Sequence, residues 1–230
     1  MNRKSRVDRY ELYVGDFVCN KFGFAEYFIS NYNKLCLNPK KVLDVGCGVG
    51  PFSIYFADKK VNVDAIDINP IAVELCEKNS QLYNLHKFIN VINEDFSKYN
   101  YKCKYDLIIA NPPIDVNNKQ IMDNEMSLKV KNGDIDSKTF SFITNSWKDE
   151  SQMDLVENIL KNSKDILSDN GAIALVFGNI ESDNYTYVKK LVYKYNLSII
   201  NHIYNEMEPS KIGLPSQYKH ILAHILILKY

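Results

Sequence analysis

A short apolar segment that runs into a cluster of glycines constrains the fold of this chain more than any other feature. Residues 41–45 (KVLDV) form the segment, and Gly46, Gly48 and Gly50 follow it directly. An apolar run this short, bounded by glycines, is typical of a strand buried on both faces of a parallel sheet. Glycines also let the backbone turn tightly and approach a ligand closely. The segment therefore predicts an α/β protein with a ligand-binding loop after a buried strand.

Strands and helices alternate along the rest of the chain. This alternation predicts βαβ units with right-handed crossovers. The last two strands leave no room for a helix between them, so we expect them to pair antiparallel. The predicted fold is a Rossmann-like, doubly wound, seven-stranded sheet, mostly parallel with the last strand antiparallel. We expect residues 38–230 to form it as a single globular unit, and residues 1–37 to form a partly helical N-terminal cap. The expected strands are 41–45, 61–67, 88–93, 104–110, 172–178, 198–205 and 220–229, and the expected helices are 51–58, 70–84, 152–167 (ended by Asn170-Gly171) and 184–195.

Charge and cysteine usage limit the classes of function. The 230 residues carry 28 basic and 28 acidic side chains. Neutrality argues against a large nucleic-acid footprint, because phosphate contacts need excess positive charge, but it leaves room for a local basic patch. The five cysteines are widely spaced and odd in number, so we expect reduced thiols in a cytoplasmic protein. No apolar run is long enough to span a bilayer, so no membrane partner is expected, and the oligomeric state is not predicted.

The glycine cluster can be compared with a dinucleotide-binding loop. That pattern, GxGxxG, requires a small residue where the helix meets the strand, and Pro51 occupies this place here. Asp44 lies just before Gly46. A carboxylate there suits an ammonium group and not a pyrophosphate. The loop therefore favours an adenosine-bearing cofactor with an ammonium group over a dinucleotide.

Two further carboxylates end the next two predicted strands. Asp67 can accept hydrogen bonds from both ribose hydroxyls; its alternative role is to cap the following helix, which Asn69 could do instead. Asp95 can accept from an adenine amine, with the Phe96 ring against the base; its alternative role is that of a surface loop residue. Ligands of such sheets bind beyond the carboxyl ends of the strands, so we expect these side chains to line one pocket.

The sequence Asn111-Pro112-Pro113-Ile114 follows the fourth predicted strand. Two prolines restrict two φ angles and remove two N–H donors, which leaves a rigid corner with free carbonyl groups. The Asn111 side-chain oxygen and the Pro112 carbonyl can accept from one NH₂ group and orient its nitrogen for attack. The alternative is a strand-ending turn, since Asn-Pro often begins turns.

This layout resembles the class I S-adenosylmethionine-dependent methyltransferases over about residues 38–180. The resemblance implies S-adenosylmethionine as the cofactor, the methionine end beside Asp44 and the glycines, the ribose beside Asp67 and the adenine beside Asp95 and Phe96. The NPPI sequence is similar to the [ND]PP[aromatic] signature of enzymes that methylate nucleobase amines or side-chain amides, such as the release-factor glutamine and ribosomal RNA guanine methyltransferases. The implied cofactor-binding residues are Asp44, Gly46, Cys47, Gly48, Gly50, Phe52, Asp67, Ile68, Asp95, Phe96 and Asn111, and the implied catalytic residues are Asn111, Pro112, Pro113 and Ile114.

The predicted function is transfer of a methyl group to an amide or amine nitrogen of a protein side chain or an RNA base. Ile114 departs from the signature, because isoleucine offers no ring face for stacking and so weakens the case for adenine in DNA. The alternatives are a small-molecule N-methyltransferase and a non-catalytic subunit that binds the cofactor.

Three segments could frame the acceptor. Residues 115–151, with Trp147, are expected either to pack on the core or to form a gate. The 207–219 loop should reach the same edge, and Phe22 to Phe24 could fold over the cofactor. His220 and His224 lie about 13 Å apart if they are in a strand, and we therefore predict no metal site.

Overall fold

A seven-stranded sheet forms the centre of the computed structural model, which describes residues 3–15, 18, 21–112, 152–179, 183–212 and 221–230. A separate two-stranded hairpin precedes it. In chain order, the elements are β1 (Arg3–Val7), β2 (Tyr10–Val14), α1 (Gly23–Asn31), β3 (Lys41–Val45), α2 (Pro51–Asp58), β4 (Asn62–Asp67), α3 (Pro70–Leu82), β5 (Ile89–Asn93), β6 (Tyr105–Ala110), α4 (Gln152–Ile166), β7 (Leu167–Asn179), α5 (Asn184–Lys194), β8 (Ser198–Met207) and β9 (Ile221–Lys229), with short 3₁₀ helices at Tyr32–Leu35 and Pro209–Ile212.

The strand order in the large sheet is β5-β4-β3-β6-β7-β9-β8. β5, β4, β3, β6 and β7 pair in parallel. β9 lies between β7 and β8 and is antiparallel to both. The predicted Rossmann-like sheet, mostly parallel with an antiparallel last strand, is confirmed. The predicted antiparallel pairing of the last two strands is confirmed as well.

Helices cover both faces of this sheet. Alternate strand residues point to opposite faces, so that Val42 and Ile109 join one apolar cluster while Leu43 and Ile108 join another. The first cluster includes side chains of the hairpin, α1 and α2, and the second includes side chains of α4 and α5. Burial on both faces is the reason why the sequences of these strands are nearly continuous apolar runs.

The N-terminal segment begins with a β-hairpin, which the prediction of a partly helical cap did not include. Tyr10, Leu12 and Val14 are buried at alternate positions of β2, and they join the same apolar cluster as the sheet. Asp8 turns the chain between the two strands with a φ of +50°. Among the described residues of this segment, α1 and the short 3₁₀ helix that follows it are the helical parts.

The end of α4 also differs from the prediction. The helix ends at Ile166, and β7 begins at the next residue, so Asn170-Gly171 does not end the helix. These two residues lie in an irregularity of β7, where the pairing with β6 shifts between Tyr105 and Leu107. A Cβ atom on Gly171 would lie 2.8 Å from the Tyr105 carbonyl oxygen, so the glycine is required by the close approach of two strands. Among the described residues, no helix has both the length and the apolar character needed to cross a membrane.

Candidate active site

The tips of four neighbouring parallel strands meet at one edge of the sheet. In the β3–β6 pair, Val45 lies opposite Ala110, so the residues that follow them, Gly46 and Asn111, leave the sheet side by side. In the β4–β5 pair, Asp67 lies opposite Asn93. Adjacent strands are about 4.8 Å apart, so the predicted cofactor residues and Asn111 occupy one continuous edge.

The glycine loop has an open side and a packed side. Gly46, Gly48 and Gly50 have φ values of +68°, +55° and +87°, which is the left-handed region that L residues rarely adopt. A Cβ atom added to Gly46 or Gly48 would meet no heavy atom of the described residues within 4 Å, whereas one added to Gly50 would lie 2.7 Å from the Cys76 Sγ of α3. The first two glycines therefore border free space that a ligand can enter.

Asp67 links the tip of β4 to the glycine loop. Its Oδ2 accepts a hydrogen bond from the Gly48 N–H at 2.8 Å, and its Oδ1 accepts from the Asn69 N–H at 2.9 Å. Burial raises the pKa of this carboxyl, and hydrogen bonds from the backbone oppose the rise. Asn69 caps α3 by accepting from the Ile71 N–H at 3.0 Å. The capping role considered for Asp67 is thus performed by Asn69.

Asp44 is enclosed beneath the loop, with only 1% of its surface exposed. Its Oδ2 accepts hydrogen bonds from the Ser53 hydroxyl at 2.6 Å and from the Ser53 N–H at 3.1 Å. Burial raises the pKa of Asp44 to about 7; the two bonds from Ser53 oppose this rise, and the charge of Asp67 adds to it. Asp44 therefore holds the first turn of α2, and the ammonium contact expected for it remains a prediction.

The buried Asp44 carboxyl should make the stability of the protein depend on pH. Because its pKa is higher in the folded than in the unfolded chain, the folded state binds more protons between about pH 4 and 7. Its contribution to the free energy of unfolding is therefore largest at low pH and is lost as the pH rises to about 7. As the pH rises through this window, the unaltered chain should therefore lose stability relative to Asp44→Asn, whose amide does not titrate. Urea denaturation at each pH measures the two free energies of unfolding. An equal difference at pH 4.5 and pH 7.5 would contradict this expectation.

Asp95 and Phe96 form a turn after β5. The Asp95 Oδ1 accepts from the Ser97 N–H and hydroxyl at 2.8 Å each, and its Oδ2 lies 3.1 Å from Lys98 Nζ. Burial raises the pKa of Asp95, but the bonds from Ser97 and the charge of Lys98 outweigh it and hold the pKa below its ordinary value. The Phe96 ring is buried beside Tyr101 in the core. Contact of this turn with an adenine would therefore use its backbone and the Asp95 carboxylate, while the Phe96 ring supports the turn from below.

The remaining site residues surround the loop or follow β6. Cys47 and Phe52 are buried beside the glycines, while the Ile68 side chain is 38% exposed next to Asp67. Pro112 is buried, and Asn111 is partly exposed without a side-chain hydrogen bond to the described part of the chain. Pro113 and Ile114 lie outside the described residues, as does the segment 115–151 with Trp147.

Phe22 to Phe24 lie at the tip of β7. A Cβ atom on Gly178 of β7 would lie 2.6 Å from the Phe24 ring, and one on Gly23 would lie 2.6 Å from the Lys211 carbonyl oxygen. The first turn of α1 and the 3₁₀ helix of the 207–219 loop therefore meet beyond the strand that neighbours β6. Coverage of the cofactor by this segment remains a prediction.

His224 lies in the aromatic core of the sheet. Its Nδ1 is 3.0 Å from the Nε2 of His202, and its ring stacks on Phe177 and Tyr185. Burial lowers the pKa of His224 to about 4. His220 lies outside the described residues, and the part of the chain that the structure describes contains no group of three or more residues suited to a metal ion.

Sequence reasoning missed two residues that hold the site together. Ser53 binds Asp44, and Asn79 of α3 binds the Val49 carbonyl of the glycine loop. A signal for Asn79 was available, because Ala72, Cys76 and Asn79 follow the i, i+4, i+7 spacing of a buried helix face. A polar residue on such a face requires a hydrogen-bonding partner.

Part of the chain matches a known enzyme family. Residues 25–132 match the family model described as the methyltransferase small domain. A tRNA1(Val) (adenine(37)-N6)-methyltransferase of Aliivibrio salmonicida is 34% identical over 91 residues, which cover 39% of this chain and 39% of the relative. The release factor glutamine methyltransferase of Borreliella burgdorferi is 32% identical over 139 residues, which cover 59% of this chain and 44% of the relative. The matches thus span about two-fifths of the length of these relatives.

Solved structures share the fold. A methyltransferase from Pyrococcus furiosus superposes with a TM-score of 0.59 at 14% identity, covering 94% of this chain and 88% of that chain. The M. jannaschii tRNA m1G37 methyltransferase gives a TM-score of 0.61 at 20% identity, covering 98% of this chain and 56% of that chain. At these identities the likeness concerns the fold alone. Together with the family match, it confirms the predicted resemblance to the class I methyltransferases.

Proposed function

We propose, from the methyltransferase small domain at residues 25–132, that this chain is an S-adenosylmethionine-dependent N-methyltransferase. The observation that carries the proposal is the register of β3 with β6, which brings Asn111 beside the glycine loop. A cofactor loop and an amino-group acceptor on adjacent strand tips are the arrangement that methyl transfer to nitrogen requires.

The residues of the edge fit the cofactor. The missing Cβ atoms of Gly46 and Gly48 leave open space on one side of the loop. The Asp67 carboxylate stands at the end of β4, beside Gly48, where a ribose could reach its remaining lone pairs. When bound, S-adenosylmethionine supplies a methyl group on a positively charged sulfonium. We assign the methionine end to Asp44 and the glycine loop, the ribose to Asp67, and the adenine to the turn at Asp95.

The chain's own part in the reaction is to orient the acceptor nitrogen. The Asn111 Oδ1 and the Pro112 carbonyl can accept hydrogen bonds from one NH₂ group and direct its lone pair at the methyl carbon. These neutral acceptors stabilise the positive charge that develops on the nitrogen during transfer. The orienting effect can supply several kcal/mol of barrier lowering, roughly in the range known for positioned reactants.

The proposed acceptor is a planar NH₂ group on an RNA base or on a glutamine side chain. The two relatives named above act, by their names, on adenine N6 and on glutamine. Both nitrogens are NH₂ groups attached to an sp² carbon, so one pair of acceptors can hold either of them. A cytoplasmic location is part of this proposal, because Cys36 and Cys103 are exposed free thiols, which persist in reducing compartments.

Two measurements test the proposal. Calorimetry with S-adenosylhomocysteine should show binding by the purified chain. With methyl-tritiated S-adenosylmethionine and an extract of source cells that lack the gene, the label should enter RNA or protein, because the acceptor sites are unmethylated there. Extract from unaltered cells is the control, and it should take up less label.

The outcomes separate the alternatives. Label in acid-soluble material would favour a small-molecule acceptor. Binding of S-adenosylhomocysteine without transfer to any fraction would favour the non-catalytic subunit, and absence of binding would overturn the proposal.

A further inference from the structure

Asn79 is fully buried in α3 and forms three hydrogen bonds, which use all of its side-chain N–H groups. Its Oδ1 accepts from the Tyr13 N–H at 2.7 Å, and its Nδ2 donates to the Tyr13 carbonyl at 3.1 Å. The amide thereby pairs with β2 as a neighbouring strand would. The other Nδ2 hydrogen is donated to the Val49 carbonyl at 2.9 Å. One side chain thus joins the N-terminal hairpin to the glycine loop.

The bond to Val49 adds a side-chain anchor to a loop that also has backbone hydrogen bonds, from the Gly46 and Cys47 N–H groups to the Ile66 carbonyl and from the Gly50 N–H to the Cys47 carbonyl. On one side, the Gly48 N–H is held by the Asp67 carboxylate. On the other side, the Val49 carbonyl is held by Asn79, and Gly50 packs against Cys76, three residues earlier on the same helix. Gly48 and Gly50 are both in the left-handed region, and glycine has the largest conformational freedom to lose. Side chains of two other elements therefore anchor neighbouring groups of the loop, the Gly48 N–H and the Val49 carbonyl.

We propose that Asn79 is a positioning residue that holds the glycine loop in its cofactor-binding shape and couples this shape to docking of the N-terminal hairpin. The inference rests on the proposed function, because it concerns affinity for the same cofactor. A loop that is already ordered binds its ligand without a further entropic cost. Loss of the anchor imposes that cost, and it also leaves the buried Val49 carbonyl without a partner.

The carboxamide is the side chain that this position requires. It must accept from one backbone N–H and donate to two backbone carbonyls at once, and asparagine carries one acceptor oxygen and two N–H donors. Aspartate has the same shape but, when ionised, has no donor. Alanine has neither function.

The experiment compares two variants that loosen the same hairpin. Asn79→Ala removes the bonds to both Tyr13 and Val49. Tyr83→Phe is the matched control, because the Tyr83 hydroxyl accepts from the Glu11 N–H at 2.7 Å and donates to the Glu11 carbonyl at 3.1 Å without touching the glycine loop. We expect Asn79→Ala to weaken binding of S-adenosylhomocysteine about tenfold or more, or ~1.4 kcal/mol. Tyr83→Phe should stay within twofold of the unaltered chain, and calorimetry measures both.

The outcomes are distinct. If the unaltered chain does not bind S-adenosylhomocysteine, the proposed function is wrong, and the inference about Asn79 is wrong with it. If it binds and Asn79→Ala binds within twofold of it, the role of Asn79 is overturned. If Tyr83→Phe loses as much affinity as Asn79→Ala, hairpin docking in general, and not the Val49 carbonyl, controls the loop, and the inference is again overturned.

Near-ultraviolet circular dichroism shows whether Asn79→Ala folds. If it does not fold, two further measurements test the inference. Asn79→Asp keeps the shape and an acceptor for the Tyr13 N–H, and it should lose affinity at pH 8 by at least the same factor. In the unaltered protein, S-adenosylhomocysteine should slow hydrogen exchange at the Tyr13 amide, held by Asn79, more than at the Glu11 amide, held by Tyr83. Equal slowing at the two amides would overturn the coupling.

Discussion

Replacement of Asn111 by alanine should lower the rate of methyl transfer by about 100- to 1,000-fold, the range observed when one preorganised polar group is removed from an active site. Affinity for S-adenosylhomocysteine should stay within a few fold. Asn111 leaves β6 beside Gly46, and its side chain has no hydrogen bond to the described part of the chain, so its oxygen is free to accept from the acceptor nitrogen. Tritium transfer to the fraction identified as substrate measures the rate.

Two variants control this result. Asn201→Ala removes an amide from β8, where its Nδ2 lies 3.5 Å from the Lys34 carbonyl, and activity should not change. Asn111→Asp keeps an acceptor oxygen and should retain more activity than Asn111→Ala. An Asn111→Ala protein that transfers methyl groups within threefold of the normal rate would contradict the proposed role.

Replacement of Gly48 by valine should abolish cofactor binding, with a loss of about 100-fold or more, or ~2.7 kcal/mol. In the part of the chain that the structure describes, no heavy atom lies within 4 Å of a Cβ added to Gly48, and a branched side chain would fill the space that the cofactor needs. Its φ of +55° is also an outlier for a β-branched residue. Calorimetry with S-adenosylhomocysteine measures the loss.

Backbone strain must be separated from this steric effect. Asn84 has a φ of +56° at the end of α3, so Asn84→Val imposes similar strain away from the glycine loop. It should lower the thermal midpoint as Gly48→Val does and leave cofactor affinity unchanged. Gly50→Ala should mainly destabilise the fold, because its Cβ would lie 2.7 Å from Cys76 Sγ. Normal affinity in Gly48→Val would exclude Gly48 from the cofactor site.

Most of the sheet could be predicted from sequence because its strands are buried on both faces. Short apolar runs such as 41–45 and 105–110 end at glycine or at Asn-Pro, and these residues mark the tips. The hairpin at Arg3–Val14 was missed, although Tyr10, Leu12 and Val14 alternate with polar residues, because the basic residues of β1 hide the pattern. The helix end predicted at Asn170-Gly171 is wrong, because the sequence does not show that two strands approach each other there.

In the candidate site, too, the sequence predicted some features and not others. Asp67 and Asn111 could be chosen because they end or directly follow an apolar run, and Asp44 because it is the last residue but one of such a run. Parallel strands bring these ends to one edge. The assignment of partners could not be made in this way. The Ser53 hydroxyl donates a hydrogen bond to Asp44, and Ser97 and Lys98 bind Asp95. The Phe96 ring faces the core. Each of these contacts depends on how the chain folds back after a strand, which the apolar pattern does not show.

The amino-acid sequence by itself determined the order of the strands and helices from β3 onward and the residues at the strand tips, because local periodicity and turn chemistry depend on near neighbours in the chain. Only the tertiary structure decided that β9 lies between β7 and β8, that Asn111 stands beside Gly46, and that Asn79 joins Tyr13 to Val49. These contacts bring together residues far apart in the chain, and their geometry follows from strand register and helix packing, which no short stretch of sequence encodes.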